Sequence, residues 1–386
     1  MKLTNKVILI ISPQAWGNMY LAKHHYAMEL AKLGNEVYFM NPREKQKTKN
    51  EVEIVNSNIL PSLFLIFHKI PFPYIIKFKW IGLFHFLIRF HIKKIEKKIG
   101  KKIDIVWNFD LGYSYPFKFF SSATYKIFMP LDTPANKVGF SSAKGADIII
   151  SVTKEILEKY KKYDIPKYLL NHGLSSYFIN PVQLENVKDN IIRIGLSGNW
   201  LRKDIDTKCL LQIVEENPNV IFEFWGSYQQ KQSNIGGGSD EEAKHFINSL
   251  LSKKNVIFHG TVHPKELAVA YQRMNGFLIC YDILKDQSQG TNYHKIMEYL
   301  STGKVIISSN ITSYSNLPEL ISMTPERNSN QNLPKLFKKI ISEIDHCNTE
   351  YLQKARINFA QANSYSNNIK TIENILEDPK YVSNIF

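Results

Sequence analysis

Hydrophobic positions along the chain switch repeatedly between two periods. Short β-branched and aromatic runs bounded by Gly, Asn or Asp alternate with stretches whose apolar residues fall three and four apart, the pattern of βαβ units feeding a parallel sheet. In the first half, strands are expected at residues 7–12, 36–40, 103–108, 125–129 and 147–151. Between the first two, LAKHHYAMELAKLGN places Leu21, His25, Met28 and Ala31 on one helical face, and Gly34 with Asn35 ends the helix. A second series begins near residue 191, with strands expected at 191–197, 220–225, 256–259, 276–281 and 305–308. The same architecture therefore occurs twice.

The connector between the halves is KYLLNHGLSSYFINP, whose extended run, His-Gly pair and proline suit a hinge within residues 171–182. Beyond about residue 330 the pattern is helical, with KLFKKIISEI and YLQKARINFA, and one of these helices is expected to cross back onto the first domain. The predicted organisation is a first domain of residues 1–174 joined by a C-terminal helix at 358–386, and a second domain of 175–357. Glycines 236–238 read as a surface loop. A chain of 386 residues, 44% of them hydrophobic, has length and apolar content for two cores.

Cys209, Cys280 and Cys347 lie about 70 residues apart, which matches no close-spaced metal or redox pattern, and they read as buried, reduced thiols. The opening MKLTNKVILIIS reads as a first buried strand rather than a signal peptide. No charge-free apolar run approaches the roughly 18 residues of a membrane span. These features together lead to the expectation of a cytoplasmic protein, at most peripheral at the inner face of the membrane.

A net charge of +14 calls for an anionic partner. Residues 54–95 contain no acid, yet hold Lys69, Lys77, Lys79, Arg89, Lys93 and Lys94 among nine aromatics. That mixture suits interfacial helices on an anionic membrane through residues 60–95, or core helices whose lysines reach solvent. The stretch is too aliphatic for a nucleic-acid stacking platform, and no helix-turn-helix or RNA-binding signature occurs, so nucleic acid is excluded as the partner.

In doubly wound sheets ligands bind beyond the carboxyl ends of strands. The most informative strand-to-helix junction runs from Tyr281 to Tyr299: FLICY, the loop DILKDQSQGTN, then a helix opening near Asn292 or Tyr293. His294 and Lys295 fall in its first turn, where a cation is disfavoured unless an anion accompanies it. Glu298 follows Lys295 by three residues, so the two share a face, and its carboxylate suits a ribose diol. A solvent-exposed Lys–Glu pair is the bland alternative.

YHKIMEYLSTGKVIIS resembles the donor-binding segment of GT-B glycosyltransferases of the large retaining family four and its relatives. ADIIISVTKEILEKY with LLNHGLSSYF, RIGLSGNWLRKDID, and NVIFHGTVHPKELAVAYQRMNGFLICY resemble further segments of that group, in the same order. The resemblance implies two Rossmann-like doubly wound domains facing a central cleft. It implies an α/β fold and a sugar-nucleotide-dependent transferase in which Lys295 touches the donor diphosphate and Glu298 the ribose. Many members carry another glutamate eight residues before the second, where this chain has Gly290, so retaining and inverting chemistry both stay open.

Further donor contacts are expected from Gly198, Arg202 and Lys203, which follow strand IRIGLS, from His259, where backbone would line the base, and from Asn292, Tyr293 and His294. On the acceptor side, Gly17 permits close backbone approach and His25 lies on the following helix. For a base that takes the acceptor proton, Asp132 in LDTP leads, then His24, then Asp110, each with a packing or turn-capping alternative. The donor is expected to be a UDP- or GDP-linked sugar acting as substrate, with no cofactor and no metal, and the acceptor a saccharide or polyprenyl-diphosphate-linked glycan in bacterial surface polysaccharide assembly. The alternatives are a nucleotide-sugar 2-epimerase and a catalytically degenerate binding protein of the same fold.

Overall fold

The structure, a computed structural model, describes residues 1–44, 51–181, 191–229, 241–286 and 290–378. The glycine-rich stretch at 236–238 lies outside them. The chain divides into two compact units, one of Met1–Trp16, Tyr20–Asn171 and Tyr365–Phe386, the other of Gly17–Met19 and His172–Ser364. The divisions fall at 171/172 and 364/365, against 174/175 and 357/358 expected from sequence.

In the first unit, β1 (Val7–Ile11), β2 (Glu36–Met40), β3 (Val52–Asn56), β4 (Leu63–His68), β5 (Ile105–Asn108), β6 (Tyr125–Phe128), β7 (Ile148–Ser151) and β8 (Lys167–Leu169) form one sheet. The order is β3-β4-β2-β1-β5-β6-β7-β8, parallel throughout except for β3, which runs antiparallel to β4. The central runs VILII, IVWN and IIIS are buried, as parallel strands sheltered on both faces must be. Helix α1 (Ala22–Lys32) follows β1 and stops at Leu33, with Gly34 at φ +83° carrying the chain into β2.

The basic aromatic stretch is not helical throughout. Leu63–His68 is β4, hydrogen-bonded to β2 and lying in the core of the unit. Only α2 (Ile76–Lys79) and α3 (Ile81–Ile99) are helical. Helix α3 buries Phe84, Ile88, Ile92, Ile95 and Ile99 at helical spacing, yet leaves Leu83, Phe86 and Phe90 exposed, as are Phe78 (69%) and Trp80 (61%) beside it. Among the described residues no helix is long and apolar enough to cross a membrane. The short α4 (Lys154–Glu158) completes this part, with the Thr153 hydroxyl accepting from the Ile156 amide.

The second unit carries β9 (Ile192–Ser197), β10 (Val220–Trp225), β11 (Val256–Gly260), β12 (Gly276–Ile279), β13 (Val305–Ser308) and β14 (Ser322–Met323), all parallel, in the order β11-β10-β9-β12-β13-β14. The order reverses between β9 and β12, so a ligand-binding crevice is expected at the carboxyl ends of those two strands. Its helices are α5 (Thr207–Glu216), α6 (Glu241–Leu251), α7 (Pro264–Tyr271), α8 (Lys295–Leu300), α9 (Leu333–Ser342), α10 (Ile344–Cys347) and α11 (Glu350–Ala362). Cys209 and Cys280, far apart in sequence, lie against each other, and that contact together with burial pushes the Cys280 thiol well above its usual range.

After α11 the chain returns to the first unit as α12 (Tyr365–Glu377). Tyr365 stacks on His25 of α1 with centroids 4.9 Å apart, Asn368 donates to the Asn171 carbonyl at 3.0 Å, and Glu373 accepts from the Leu3 amide at 2.7 Å. The helix that crosses back therefore starts at Tyr365, and residues 358–362 belong to α11 of the second unit.

Candidate functional site

The crevice of the second unit is built first by glycines. Gly198 directly follows β9 and Gly226 directly follows β10, and a Cβ on Gly226 (φ +106°) would fall 1.9 Å from the Gly198 carbonyl oxygen. The Gly226 amide in turn donates to the Gly260 carbonyl at 2.7 Å, and the Gly198 amide to the Trp225 carbonyl at 3.0 Å. Three strand ends thus converge with their backbones in contact, which only glycine permits.

Lys295 enters this space. Its ammonium donates to the Ser197 carbonyl and, at 2.7 Å, to the Tyr281 hydroxyl, and a Cβ on Gly198 would stand 3.2 Å from Nζ. Tyr281 follows β12, so the lysine bridges the two strands at which the order reverses. An ammonium carries three donors, and two are engaged here. Helix α8 begins at Lys295 itself with His294 as its N-cap, later than the start near 292 expected from sequence. The charge is held by a carbonyl and a phenol, so Lys295 is accommodated at the helix start without invoking the anion that the dipole argument called for.

Glu298 lies one turn further along α8. Burial raises its carboxyl to about 7, and the positive charge of Lys295 opposes the rise. No hydrogen bond or ion pair engages this carboxylate among the described residues, so it is a partly sheltered acceptor without a protein donor. Tyr299 behind it is fully buried, and its hydroxyl accepts from the Ser197 amide at 2.7 Å, fixing α8 to the end of β9.

Arg202 is placed differently from its expected role. Its guanidinium grips buried Asp204 through Nε at 2.8 Å and through Nη2, and lies 3.7 Å from Asp286. Two carboxylates already balance it, which weakens it as a phosphate ligand. Asp286 also accepts from the Gly290 amide at 3.0 Å and the Tyr293 hydroxyl at 2.7 Å, so it organises the loop before α8. The Tyr293 ring lies tilted against Tyr281 with centroids 4.8 Å apart, and buried Asn292 accepts from the Tyr293 amide at 2.8 Å, so both serve the loop. His294 is half-buried with its ring 6.3 Å from His172, and Lys203 is exposed. His259 stacks on Trp225 and bonds Glu223 at 2.7 Å, while His263 accepts from the Lys265 amide as the N-cap of α7.

Gly290 adopts φ +64°, and a Cβ there would meet the Asn310 carbonyl at 3.0 Å. The position at which relatives of the resembled group carry a glutamate is thus one that only glycine occupies without strain.

In the first unit the three candidate bases separate clearly. His24 is fully buried: Nδ1 accepts from the Leu21 amide at 2.9 Å and Nε2 bonds the Ala15 carbonyl at 3.1 Å. Burial, with the charge of Lys23, lowers it to about 3, so it caps α1 and has no nitrogen left to take a proton. Asp110 spends one oxygen on the Gly112 amide and the other on the Ser114 amide, both at 2.9 Å, and is a turn acid. His25, expected at the acceptor, is buried against Tyr365. Asp132 is exposed, and its charge reaches Lys23, a buried lysine that burial lowers to about 8. Lys23 donates to Gln14 and escaped the sequence reading, because nothing in a helical run KHH tells which side chain turns inward. Gly17 lies in the loop between β1 and α1, in the stretch Gly17–Met19 that belongs to the second unit.

No protein-family model and no curated protein matches the chain by sequence. Solved structures do match in fold. Sucrose-phosphate synthase from Thermosynechococcus elongatus is 12% identical, with 97% of this chain and 99% of that one covered and a TM-score of 0.70. Anabaena HepE in complex with UDP and glucose is 12% identical, covering 97% and 100%, with a TM-score of 0.66. The lipopolysaccharide outer core galactosyltransferase WaaB is 13% identical, covering 97% and 99%, with a TM-score of 0.60. Likeness at this level of identity over nearly the whole chain establishes the shared fold, two Rossmann-like domains of the GT-B kind.

Proposed function

We propose that this protein is a glycosyltransferase that moves a sugar from a nucleoside-diphosphate donor to a saccharide or lipid-linked acceptor. One observation carries the reading: at the strand-order reversal of the second unit, the Lys295 ammonium stands against Gly198, with the Glu298 carboxylate one helical turn away and unoccupied by any protein donor. Lys295 keeps a proton for a diphosphate oxygen, Glu298 accepts from the ribose diol, and the glycine backbones admit the nucleotide. Two relatives in fold point the same way, since HepE is described with UDP and glucose and WaaB is a galactosyltransferase.

In the transfer, the bond between the anomeric carbon and the diphosphate oxygen breaks and the diphosphate leaves with the electron pair. The acceptor oxygen bonds to the anomeric carbon, through an oxocarbenium-like transition state. The acceptor proton passes to Asp132 if configuration inverts, or to a leaving-phosphate oxygen if it is retained. Lys295 stabilises the departing charge, so the proposed chemistry uses no metal and no cofactor. Incubating the protein with a panel of UDP-, GDP- and CMP-sugars tests this: a transferase hydrolyses one donor slowly alone, and the proposal fails if none is consumed.

The acceptor side is read as lipid-linked because Phe78, Trp80, Phe86 and Phe90 stand exposed among Lys79, Arg89, Lys93 and Lys97, a surface that suits the headgroup region of an anionic cytoplasmic leaflet. Such placement fits surface-polysaccharide assembly. Flotation with phosphatidylglycerol vesicles tests it, and a wild-type protein that stays at the bottom of the gradient removes the membrane from the account.

A further inference from the structure

At the carboxyl edge of the first sheet, two cations gather around one tyrosine. Arg43 follows β2 and lays its guanidinium 4.0 Å from the centre of the Tyr74 ring. Lys77 of α2 donates to the Tyr74 hydroxyl and to the Ser114 hydroxyl, both at 2.8 Å. Ser114 is buried, and it belongs to the loop after β5. Neither cation has a carboxylate within ion-pair distance among the described residues. Asp110 stands beside Ser114, its two oxygens accepting from the Gly112 and Ser114 amides.

Like charges brought together at a strand end cost free energy unless something neutralises them. Gly112 keeps room between Lys77 and Asp110: a Cβ there would lie 2.8 Å from the Lys77 Nζ, 3.0 Å from Asp110 Oδ1 and 3.3 Å from the Ser114 hydroxyl, so one carboxylate stands beside two cations and leaves a net positive charge. Guanidinium, ammonium and two hydroxyls gathered around the one tyrosine match an anion with several oxygens better than a single carboxylate. Lys77 further sits between exposed Ile75 and exposed Phe78 and Trp80, so the same short segment carries the cation and the apolar surface.

We infer that Arg43, Tyr74, Lys77 and Ser114 form a subsite that binds the phosphate group of a phosphorylated acceptor. The inference rests on the transferase reading for its purpose, because the first unit then holds the acceptor. Its chemistry stands on these four residues alone.

The test titrates inorganic pyrophosphate into the full chain by calorimetry. Two classes of site are expected, one lost in Lys295→Ala and the other weakened about tenfold or more in Arg43→Met/Lys77→Met. Lys77→Arg should keep the second class, which separates lost charge from lost fold. If Lys295→Ala changes nothing, the donor reading falls while this one stands. Phosphatidylcholine vesicles bearing a polyprenyl diphosphate, compared with soluble glucose 6-phosphate as competitor, identify the source: retention that the double variant loses means a lipid headgroup, and displacement by the sugar phosphate without retention means a free phosphorylated sugar. Pyrophosphate binding by Arg43→Met/Lys77→Met equal to wild type overturns the proposal.

Discussion

Gly198 and Lys295 come so close that a methyl group on the glycine would stand 3.2 Å from the lysine ammonium nitrogen, 3.5 Å from the Tyr281 hydroxyl. Since the end of a lysine is flexible, Gly198→Ala should fold with little loss of stability but displace the ammonium. Donor affinity is expected to drop about tenfold, roughly 1.4 kcal/mol. Lys295→Ala should cost on the order of 1.5–3 kcal/mol of binding. The two should be strongly non-additive in a double-mutant cycle, because both act on one ammonium. Additive effects, measured by calorimetry, would separate the glycine from the lysine's role.

Glu298 supplies a pH dependence whose sign follows from its raised pKa. In the free protein burial raises the carboxyl to about 7, and accepting hydrogen bonds from both ribose hydroxyls requires the ionised form. Below that pH the proton must leave before the diol binds, so donor affinity should fall about tenfold per pH unit. Above it, affinity should be flat. The diphosphate diester of a sugar nucleotide does not titrate in this range, so Glu298→Gln should bind weakly with no such dependence. A slope that survives in Glu298→Gln would assign it to another group.

Gly290→Glu restores the residue that the resembled group carries and should still fail to help. The left-handed backbone costs a side chain roughly 1–2 kcal/mol, and the Cβ contact with the Asn310 carbonyl at 3.0 Å adds to it. Denaturant unfolding should show that loss, with no gain in donor binding. Unchanged stability would mean that the loop has a second arrangement.

His25 ties acid sensitivity to the crossing helix. Burial above all, with electrostatic repulsion from His24 and Lys32, lowers it from 6.5 to about 3. The unfolded chain takes up the proton below 6.5 and the folded chain does not, so stability present above that pH is lost as the pH falls. His25→Phe keeps the stack on Tyr365 and removes the titration. The pH slope of unfolding free energy between 6.5 and about 5 should then shrink by roughly 1.4 kcal/mol per unit. An unchanged slope would mean that His25 is protonated while folded.

Strands such as Glu36–Met40, Val220–Trp225 and Val305–Ser308 were legible to the residue, because short β-branched runs end at turn residues. Leu63–His68 was not, since its apolar run continues past Pro71 and Pro73 into helical residues of the same composition. Tertiary partners were hidden by separation: Lys295 meets Ser197 across 98 residues. Histidines were the least legible. His24 had the side chain of a base, and only the Leu21 amide and the Ala15 carbonyl show it to be a cap. The two aspartates likewise differ in what surrounds them, with Asp110 consumed by its own turn and Asp132 exposed near Lys23.

The central claim is that Lys295 and Glu298 hold a sugar nucleotide, and calorimetric titration of the full chain with UDP- and GDP-sugars tests it most directly. The account predicts one-to-one binding of at least one of them, weakened in both Lys295→Ala and Glu298→Ala while each variant unfolds at the wild-type temperature. Absence of binding by every sugar nucleotide, or wild-type affinity in both variants, would contradict it.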